Sequence, residues 1–166
     1  METTTPPVFI FVGHSNAGKT TFIERLIPEL IRRGHRVATI KHAHHAVRLD
    51  TEGKDSWRYK QAGAALSMLV TTDALQLVAD VGDGREPAQL ARRFLGEADI
   101  VLAEGFSHSP GPKIEVLRRE TGKPPRCGID DGLIAIVTDC AGVYPELPRF
   151  ALDDIAAMAD FLLGRI

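Results

Sequence analysis

The sequence has little of what marks secreted and membrane proteins. Its 166 residues include only two cysteines, Cys127 and Cys140, which form no CxxC pair and are too few for the disulfide framework of a small secreted domain. No apolar run approaches the roughly 18 residues that a membrane-spanning helix needs, and the first residues lack the positive and apolar regions of a signal peptide. We therefore expect reduced thiols and a cytoplasmic protein that contacts no membrane.

The sequence also lacks an excess of charge of either sign. Its 20 lysines and arginines nearly balance 22 aspartates and glutamates, which gives a formal net charge of -2. A near-neutral chain offers no electrostatic reason to expect binding to nucleic acid. Because 44% of the residues are hydrophobic and the length fits about one domain, we expect residues 1–166 to form a single domain around a packed core.

Short apolar segments alternate with segments of helical periodicity along the chain. This alternation predicts an α/β fold with a mostly parallel sheet covered by helices on both faces, and the neighbouring segments 66–70 and 74–78 predict a hairpin. In the first helix Pro28 predicts a kink or an early break, and Asp153 is the expected cap of the last helix. The expected strands are 8–12, 36–41, 66–70, 74–78, 100–103, 114–117 and 133–137, and the expected helices run from 22 until Gly34, 54–64, 87–95 and 153–164.

The segment after the first strand fits the phosphate-binding pattern G-x4-G-K-[ST] at every fixed position. It reads Gly13-His14-Ser15-Asn16-Ala17-Gly18-Lys19-Thr20 and lies between a predicted strand and a predicted helix start. Its glycines let backbone N–H groups turn toward a phosphate, Lys19 reaches the terminal phosphates, and Thr20 offers a hydroxyl to Mg²⁺. The alternative is a glycine-rich turn with an incidental lysine, and we expect nucleotide binding.

An acid at a strand end is needed to complete a magnesium site, because ligands of open α/β sheets bind beyond the carboxyl ends of the strands. Asp99 and Glu104 lie at opposite ends of one predicted strand, roughly 16 Å apart at about 3.3 Å per residue. Both cannot reach the same ion. Glu104 is at the carboxyl end, so we expect it near the magnesium or its water, and we expect Asp99 to cap the far end.

The polar stretch 42–53 is long for a loop in a compact domain, and loops of that length are usually functional. Three histidines lie in it: His42, His44 and His45. Contacts to nucleotide or partner, a zinc or nickel site, and an ordinary surface loop all remain open for them. Asp50 and Asp55 are either helix-capping residues or carboxylates that contact the magnesium or orient a water molecule.

Other polar residues fall where strands begin or end. Lys41 ends a strand that should point toward the ligand side of the sheet. Asp139 ends the last buried strand, where its carboxylate could accept hydrogen bonds from the N1–H and exocyclic amine of guanine, or only cap a turn. Lys113 and Glu115, at the start of a strand, are most simply interpreted as a surface ion pair.

Together these segments resemble the MobB family of molybdopterin-guanine dinucleotide biosynthesis adaptors. The resemblance covers nearly the whole chain in the right order. The segments that carry it are Gly13 to Thr20, Lys41-His42 with His45, Asp50 through Gly53-Lys54-Asp55-Ser56, Asp99 through Glu104-Gly105-Phe106, Lys113-Ile-Glu-Val116 and Val137-Thr-Asp139.

The resemblance implies a three-layer α/β/α P-loop NTPase fold, a homodimer, and binding of GTP and Mg²⁺ with weak hydrolysis. It also implies support for a MobA-type guanylyltransferase, which attaches GMP to molybdopterin, and contact with molybdopterin-handling proteins. Carried over by position, residues 13 to 21, including Thr21, hold the phosphates, and Thr20 and Glu104 face the metal. Asp139 is the base candidate. From the residues themselves, Lys41, His42 and Asp55 are further candidates for nucleotide contacts, and Glu104 and Asp50 are the candidate catalytic groups.

Two other functions are compatible with a phosphate loop. A nickel-insertion metallochaperone GTPase would use the histidines of the 42–53 loop as metal ligands, and a small-molecule kinase would use that loop as a lid. An adaptor agrees best with the absence of an evident arginine finger or water-orienting glutamine, because those groups account for rapid GTP hydrolysis. We therefore expect slow turnover.

Overall fold

A computed structural model describes residues 5–43, 47–82 and 85–166. The chain divides into two compact units, one made of the segments Met1–His42 and Glu86–Ile166 and the other of Ala43–Arg85. The strands are β1 (Val8–Val12), β2 (Val37–Lys41), β3 (Leu66–Val70), β4 (Leu75–Ala79), β5 (Ile100–Glu104), β6 (Lys113–Leu117), β7 (Leu133–Thr138) and β8 (Arg149–Phe150). The helices are α1 (Lys19–Arg32), α2 (Asp55–Gln61), α3 (Pro87–Phe94) and α4 (Ile155–Leu163).

The first unit is built on a six-stranded sheet in the order β2-β5-β1-β6-β7-β8. Every neighbouring pair in it is parallel, so the carboxyl ends of all its strands lie along one edge. The strand that precedes the phosphate loop, β1, is central and has β5 on one side and β6 on the other. The predicted mostly parallel α/β sheet is confirmed.

Helices cover both faces of this sheet. On one face, Phe22 and Leu26 of α1 and Met158 and Leu162 of α4 pack with Phe11 of β1 and other sheet residues into the larger apolar core. A smaller core lies on the other face, where Leu90 of α3 packs against residues that include Ile10, Val12, Ala103, Phe106 and Cys127. The expected three layers are therefore present, with unequal cores.

An ion-pair cluster ties the end of α1 to α4. Arg33, which caps α1, donates a hydrogen bond from Nε to Glu29 at 2.8 Å and pairs through Nη1 with Asp160 of α4. The guanidinium hydrogen bonds from Arg32 and Arg33 lower the pKa of Glu29 to about 2. The two helices are thus joined by charge as well as by their shared apolar core.

The second unit contains α2 and the predicted hairpin. Strands β3 and β4 pair antiparallel, from Leu66 opposite Ala79 to Val70 opposite Leu75. Residues at alternate positions share a face of a strand, and opposite partners share a face of the sheet. One face of the hairpin is therefore made only of apolar side chains: Leu66, Met68, Val70, Leu75, Leu77 and Ala79.

Two expectations about helix ends differ from the structure, and one strand was not expected. Helix α1 continues through Pro28 to Arg32, so the early break is wrong. Pro28 and Glu24 are exposed, so water can bond the Glu24 carbonyl that lacks its helix donor, while buried Leu26 and Leu30 hold the helix on the sheet. The cap of α4 is Asp154 instead of Asp153, and the short strand β8 has no predicted counterpart.

The expected surface ion pair of Lys113 and Glu115 is also wrong. Both side chains are buried, because β6 lies between β1 and β7. Lys113 donates from Nζ to the carbonyl oxygen of Asp131, and Glu115 accepts hydrogen bonds from backbone N–H groups. Each charge is therefore satisfied by backbone, as buried charges require.

Candidate functional site

The phosphate loop owes its shape to residues with positive φ angles. Gly13, Asn16 and Gly18 have φ values of 136°, 65° and 90°, a region that favours glycine and tolerates asparagine. At Gly13 a side chain is also excluded sterically, because a Cβ there would lie 2.3 Å from the carbonyl oxygen of Val116 in β6. The loop therefore runs tightly along β6 before it enters α1.

Two residues of the loop, Gly13 and Ala17, are buried and anchor it. Ala17 is buried and donates its N–H to the carbonyl oxygen of His14 at 3.2 Å. Among the polar side chains that the sequence assigns to the phosphates, His14 and Lys19 are half-buried and four are exposed: Ser15, Asn16, Thr20 and Thr21. They are placed where a ligand at the start of α1 can reach them.

The side chain of Lys19 folds back over the loop. Its Nζ donates to the carbonyl oxygens of Gly13 at 3.1 Å and of His14 at 2.8 Å. Burial of the ammonium group is the largest cause that lowers the pKa of Lys19, and the nearby Glu104 carboxylate opposes it. Because these contacts satisfy the amine without fixing it in the core, it can turn toward an anion.

Thr20, Lys41 and Glu104 meet at the carboxyl edge of the sheet. The hydroxyl of Thr20 donates to the Glu104 carboxylate, 2.9 Å from Oε2 and 3.0 Å from Oε1, and the Lys41 Nζ lies 3.2 Å from the same Oε2. Strand register explains the meeting, since Glu104 of β5 pairs with Lys41 of β2 and with Phe11 of β1. A hydroxyl beside a carboxylate provides the oxygen ligands that Mg²⁺ prefers.

Two other candidate acids lie away from this cluster. Asp99 is at the opposite end of β5, where its Oδ2 accepts the N–H of Arg36 at 2.7 Å. Asp139 follows β7 on the same edge as the phosphate loop, with β6 between β7 and β1. Its exposed carboxylate accepts the N–H of Arg119 at 2.7 Å, and this bond is the main cause that lowers its pKa.

The segment after β6 borders the phosphate loop, which the sequence reasoning missed. The Nε2 of His14 hydrogen-bonds to the carbonyl oxygen of Pro124 at 3.0 Å, and Arg118 runs beside Gly18. A signal was present, since the sequence places several basic residues soon after a strand. It could not be interpreted without knowing that this strand is the neighbour of β1.

The candidates of the 42–53 loop and the start of α2 fall in different parts of the structure. His42 ends the segment of the first unit and lies 5.1 Å from the ring centre of Phe106. Asp50 and Asp55 belong to the second unit, where Asp50 accepts the N–H of Thr51 and Asp55 opens α2. Their roles at a nucleotide remain predictions.

Metal binding by His42, His44 and His45 remains a prediction as well. His44 and His45 lie outside the described residues. Across residues 5–43, 47–82 and 85–166, no group of three or more His, Cys, Asp or Glu side chains is arranged to hold a metal ion. Over the same ranges, no helix has the length and apolar character needed to cross a membrane.

Comparison with known proteins gives consistent matches. The family described as "Molybdopterin guanine dinucleotide synthesis protein B", MobB, matches residues 8–139. A molybdopterin-guanine dinucleotide biosynthesis adapter protein of Haemophilus influenzae is 41% identical, with 94% of this chain and 87% of that protein covered. The protein of the same description from Escherichia coli is 32% identical, with 95% and 91% covered. The crystal structure of Bacillus subtilis MobB superposes with a TM-score of 0.73 at 30% identity, covering 96% of this chain and 98% of that one.

Proposed function

Since the chain belongs to the MobB family and is an adapter of molybdopterin guanine dinucleotide biosynthesis, we propose that it performs this role as a GTP- and Mg²⁺-binding protein with slow hydrolysis. The observation that carries the proposal is the contact of Thr20 with Glu104 at the end of β5. In P-loop proteins the loop hydroxyl and an acid on a neighbouring strand hold the magnesium of the nucleotide.

Different groups of the chain would bind the phosphates and the metal. Backbone N–H groups at the start of α1 and the Lys19 ammonium meet the phosphates, while Thr20 and Glu104 would hold the metal. Lys41, which is paired with Glu104, would be available to contact a phosphate oxygen if Glu104 held the metal. Magnesium would supply charge neutralisation between the phosphate oxygens.

Guanine recognition is assigned to Asp139. Its carboxylate lies on the same edge of the sheet as the phosphate loop, and its lowered pKa keeps it ionised and able to accept two hydrogen bonds. Guanine offers an N1–H and an amine as paired donors, whereas adenine has an acceptor at N1. The backbone bond from Arg119 holds the carboxylate in place for this task.

An adapter acts through its partner proteins, so its role does not require rapid GTP hydrolysis. We infer that the partner is a MobA-type guanylyltransferase in the cytoplasm, with molybdopterin-handling proteins as further contacts. The free thiols of Cys127 and Cys140 agree with a reducing compartment. Rapid GTP hydrolysis by the purified protein, at many turnovers per second, would contradict the adapter mechanism.

We further infer a homodimer formed through the apolar hairpin face. Met68, Val70 and Leu75 on that face are 58%, 67% and 64% exposed. Because contiguous apolar faces of this kind are rarely left exposed on a monomer, this face is expected to be covered. Because the face carries no charge, it meets no repulsion from its own copy across a two-fold axis, which favours a second copy as the occupant.

Titration calorimetry with GTP and ATP tests the nucleotide assignment. GTP is expected to bind at least about tenfold more tightly than ATP, because the Asp139 carboxylate would be left without donors by adenine. Asp139→Asn retains an acceptor for the Arg119 N–H but replaces one carboxylate oxygen with a donor, so most of the preference should disappear. Mg²⁺ should strengthen binding to the wild type and have little effect on Glu104→Gln.

Each comparison in this titration tests a different part of the proposal. Equal affinity for GTP and ATP would overturn the role of Asp139 and leave the phosphate site standing. An unchanged magnesium effect in Glu104→Gln would overturn the metal assignment. If neither nucleotide bound, the proposed function itself would be wrong.

Sedimentation equilibrium tests the dimer. Met68→Glu is expected to convert a dimeric protein to monomers, because burying two copies of the new carboxylate at a two-fold interface is costly. Ile31→Glu on α1 is the matched control, since Ile31 is 56% exposed on the first unit and should leave the association unchanged. A monomeric wild type, or an equal effect of both substitutions, would contradict the hairpin interface.

A further inference from the structure

The segment that follows β6 forms a second wall beside the phosphate loop. Its Pro124 carbonyl oxygen is 3.0 Å from His14 Nε2, and its Arg118 Cδ lies 4.0 Å from where a Cβ on Gly18 would be. We call residues 118–127 the basic segment. Its cations are Arg118, Arg119, Lys123 and Arg126.

A buried carboxylate fixes the backbone of this segment at Arg126. Glu115 is 0% exposed, and its two oxygens accept the N–H groups of Arg126 at 2.6 Å and Cys127 at 3.1 Å. Burial raises the pKa of the Glu115 carboxyl, and the two backbone bonds oppose that rise. Because a buried carboxylate is costly unless it is fully bonded, this anchor holds Arg126 at a defined place next to the loop.

The Arg126 guanidinium has no bonded partner among the described residues, although its backbone is held. Its main chain is bonded to Glu115, whereas its exposed side chain makes no hydrogen bond or ion pair with residues 5–43, 47–82 or 85–166. It also lies close enough to repel the Lys19 ammonium, and this repulsion, after burial, helps lower the pKa of Lys19. Lys41 acts on Lys19 in the same way, so three cations, Lys19, Arg126 and Lys41, lie near the acids Glu104 and Glu115. This excess of positive charge is electrostatically suited to an anion.

We propose that Arg126, positioned by Glu115, is a further phosphate-binding residue that contacts the terminal phosphate of the polyphosphate ligand. This inference rests on the proposed function, because it concerns the same site. An arginine presents a planar fork of donors that matches two phosphate oxygens, and it stays charged at any physiological pH. The lysine of a phosphate loop reaches the β- and γ-phosphates. A guanidinium beside Lys19 would therefore contact the same terminal part of the polyphosphate.

The experiment compares Arg126→Ala with the control Lys123→Ala. Lys123 carries the same charge on the same exposed segment but is not among the charges that act on Lys19. Affinities are measured by calorimetry for GTP, GDP and inorganic tripolyphosphate at fixed ionic strength. Arg126→Ala is expected to weaken GTP and tripolyphosphate binding about tenfold, to weaken GDP binding less, and to be partly rescued by Arg126→Lys.

The outcomes separate this inference from the proposed function. If the wild type binds GTP and tripolyphosphate but Arg126→Ala matches Lys123→Ala, the role of Arg126 is overturned and the proposed function stands. If tripolyphosphate binds and depends on Arg126 while GTP has no advantage over ATP, the inference stands and guanine recognition fails. If the wild type binds no polyphosphate, both are overturned.

A double-mutant cycle tests the positioning role of Glu115. Glu115→Gln keeps one acceptor oxygen and turns the other into a donor that faces a backbone N–H. Tripolyphosphate affinity should fall in Glu115→Gln, and adding Arg126→Ala should then cost much less than it does in the wild type. Fully additive losses would show that Glu115 supports only the fold and would overturn the positioning role.

Discussion

Replacing Lys19 with alanine is expected to weaken GTP binding at least about 100-fold while changing the free energy of unfolding by less than about 1 kcal/mol. The ammonium is the one side-chain charge inside the phosphate loop, so the variant loses charge-assisted bonds to two phosphate groups. Stability should change little because the two bonds to the Gly13 and His14 carbonyls are offset by the cost of burying the charge. Calorimetry and urea unfolding measure the two quantities on one preparation.

Two comparisons make this result interpretable. Lys123→Ala removes an exposed positive charge near the loop and should leave GTP affinity within about threefold, which shows how much of the loss is general electrostatics. Lys19→Arg should bind weakly as well, because a planar guanidinium does not reproduce the compact charge and bonding geometry of the ammonium. Retention of near wild-type affinity by Lys19→Ala would mean that GTP binds elsewhere.

Gly13→Ala is expected to lower the free energy of unfolding by about 3 kcal/mol or more. The added Cβ would lie 2.3 Å from the Val116 carbonyl oxygen, and the backbone at φ 136° is strained for any residue with a side chain. Relief requires β1 and β6 to separate, which disturbs the centre of the sheet. The measurement is urea unfolding followed by circular dichroism. The urea concentration at the midpoint should fall, while the slope of the free energy of unfolding against urea stays unchanged.

Gly34→Ala separates the clash from the backbone strain. Gly34 has a φ of 90°, and a Cβ there would meet nothing within 4 Å, so this variant carries the strain alone. Its expected cost is about 1–2 kcal/mol. If the two substitutions destabilised the protein equally, the close approach of the loop to Val116 would not matter for stability.

The parts that could be predicted from sequence are those that depend on consecutive residues. The phosphate loop is one run from Gly13 to Thr20, and β1, β5 and β7 are apolar runs, so local chemistry is enough to identify them. Pro28 was misjudged because buried neighbours on the sheet outweigh one missing helix bond. The two-residue strand β8 is too short to leave a periodic pattern.

The parts that could not be predicted depend on which strands are neighbours. Lys113 and Glu115 alternate with apolar residues as an exposed strand would, and only the position of β6 between β1 and β7 buries them. The same neighbour relation brings the segment after β6 to the phosphate loop. Strand order is set by contacts between residues far apart in the chain, and a single sequence contains no local signal for it.

The ion pair between Arg33 and Asp160 connects the helix that begins at the phosphate loop to α4. Helix α1 begins at Lys19, and its 14 residues extend about 21 Å to the arginine that pairs with Asp160. Because α1 and α4 also share the larger apolar core, a ligand that displaces the first turn of α1 would shift the two helices together. Inside α1, Pro28 has no N–H to donate to the Glu24 carbonyl oxygen, so the helix bends most easily at that turn.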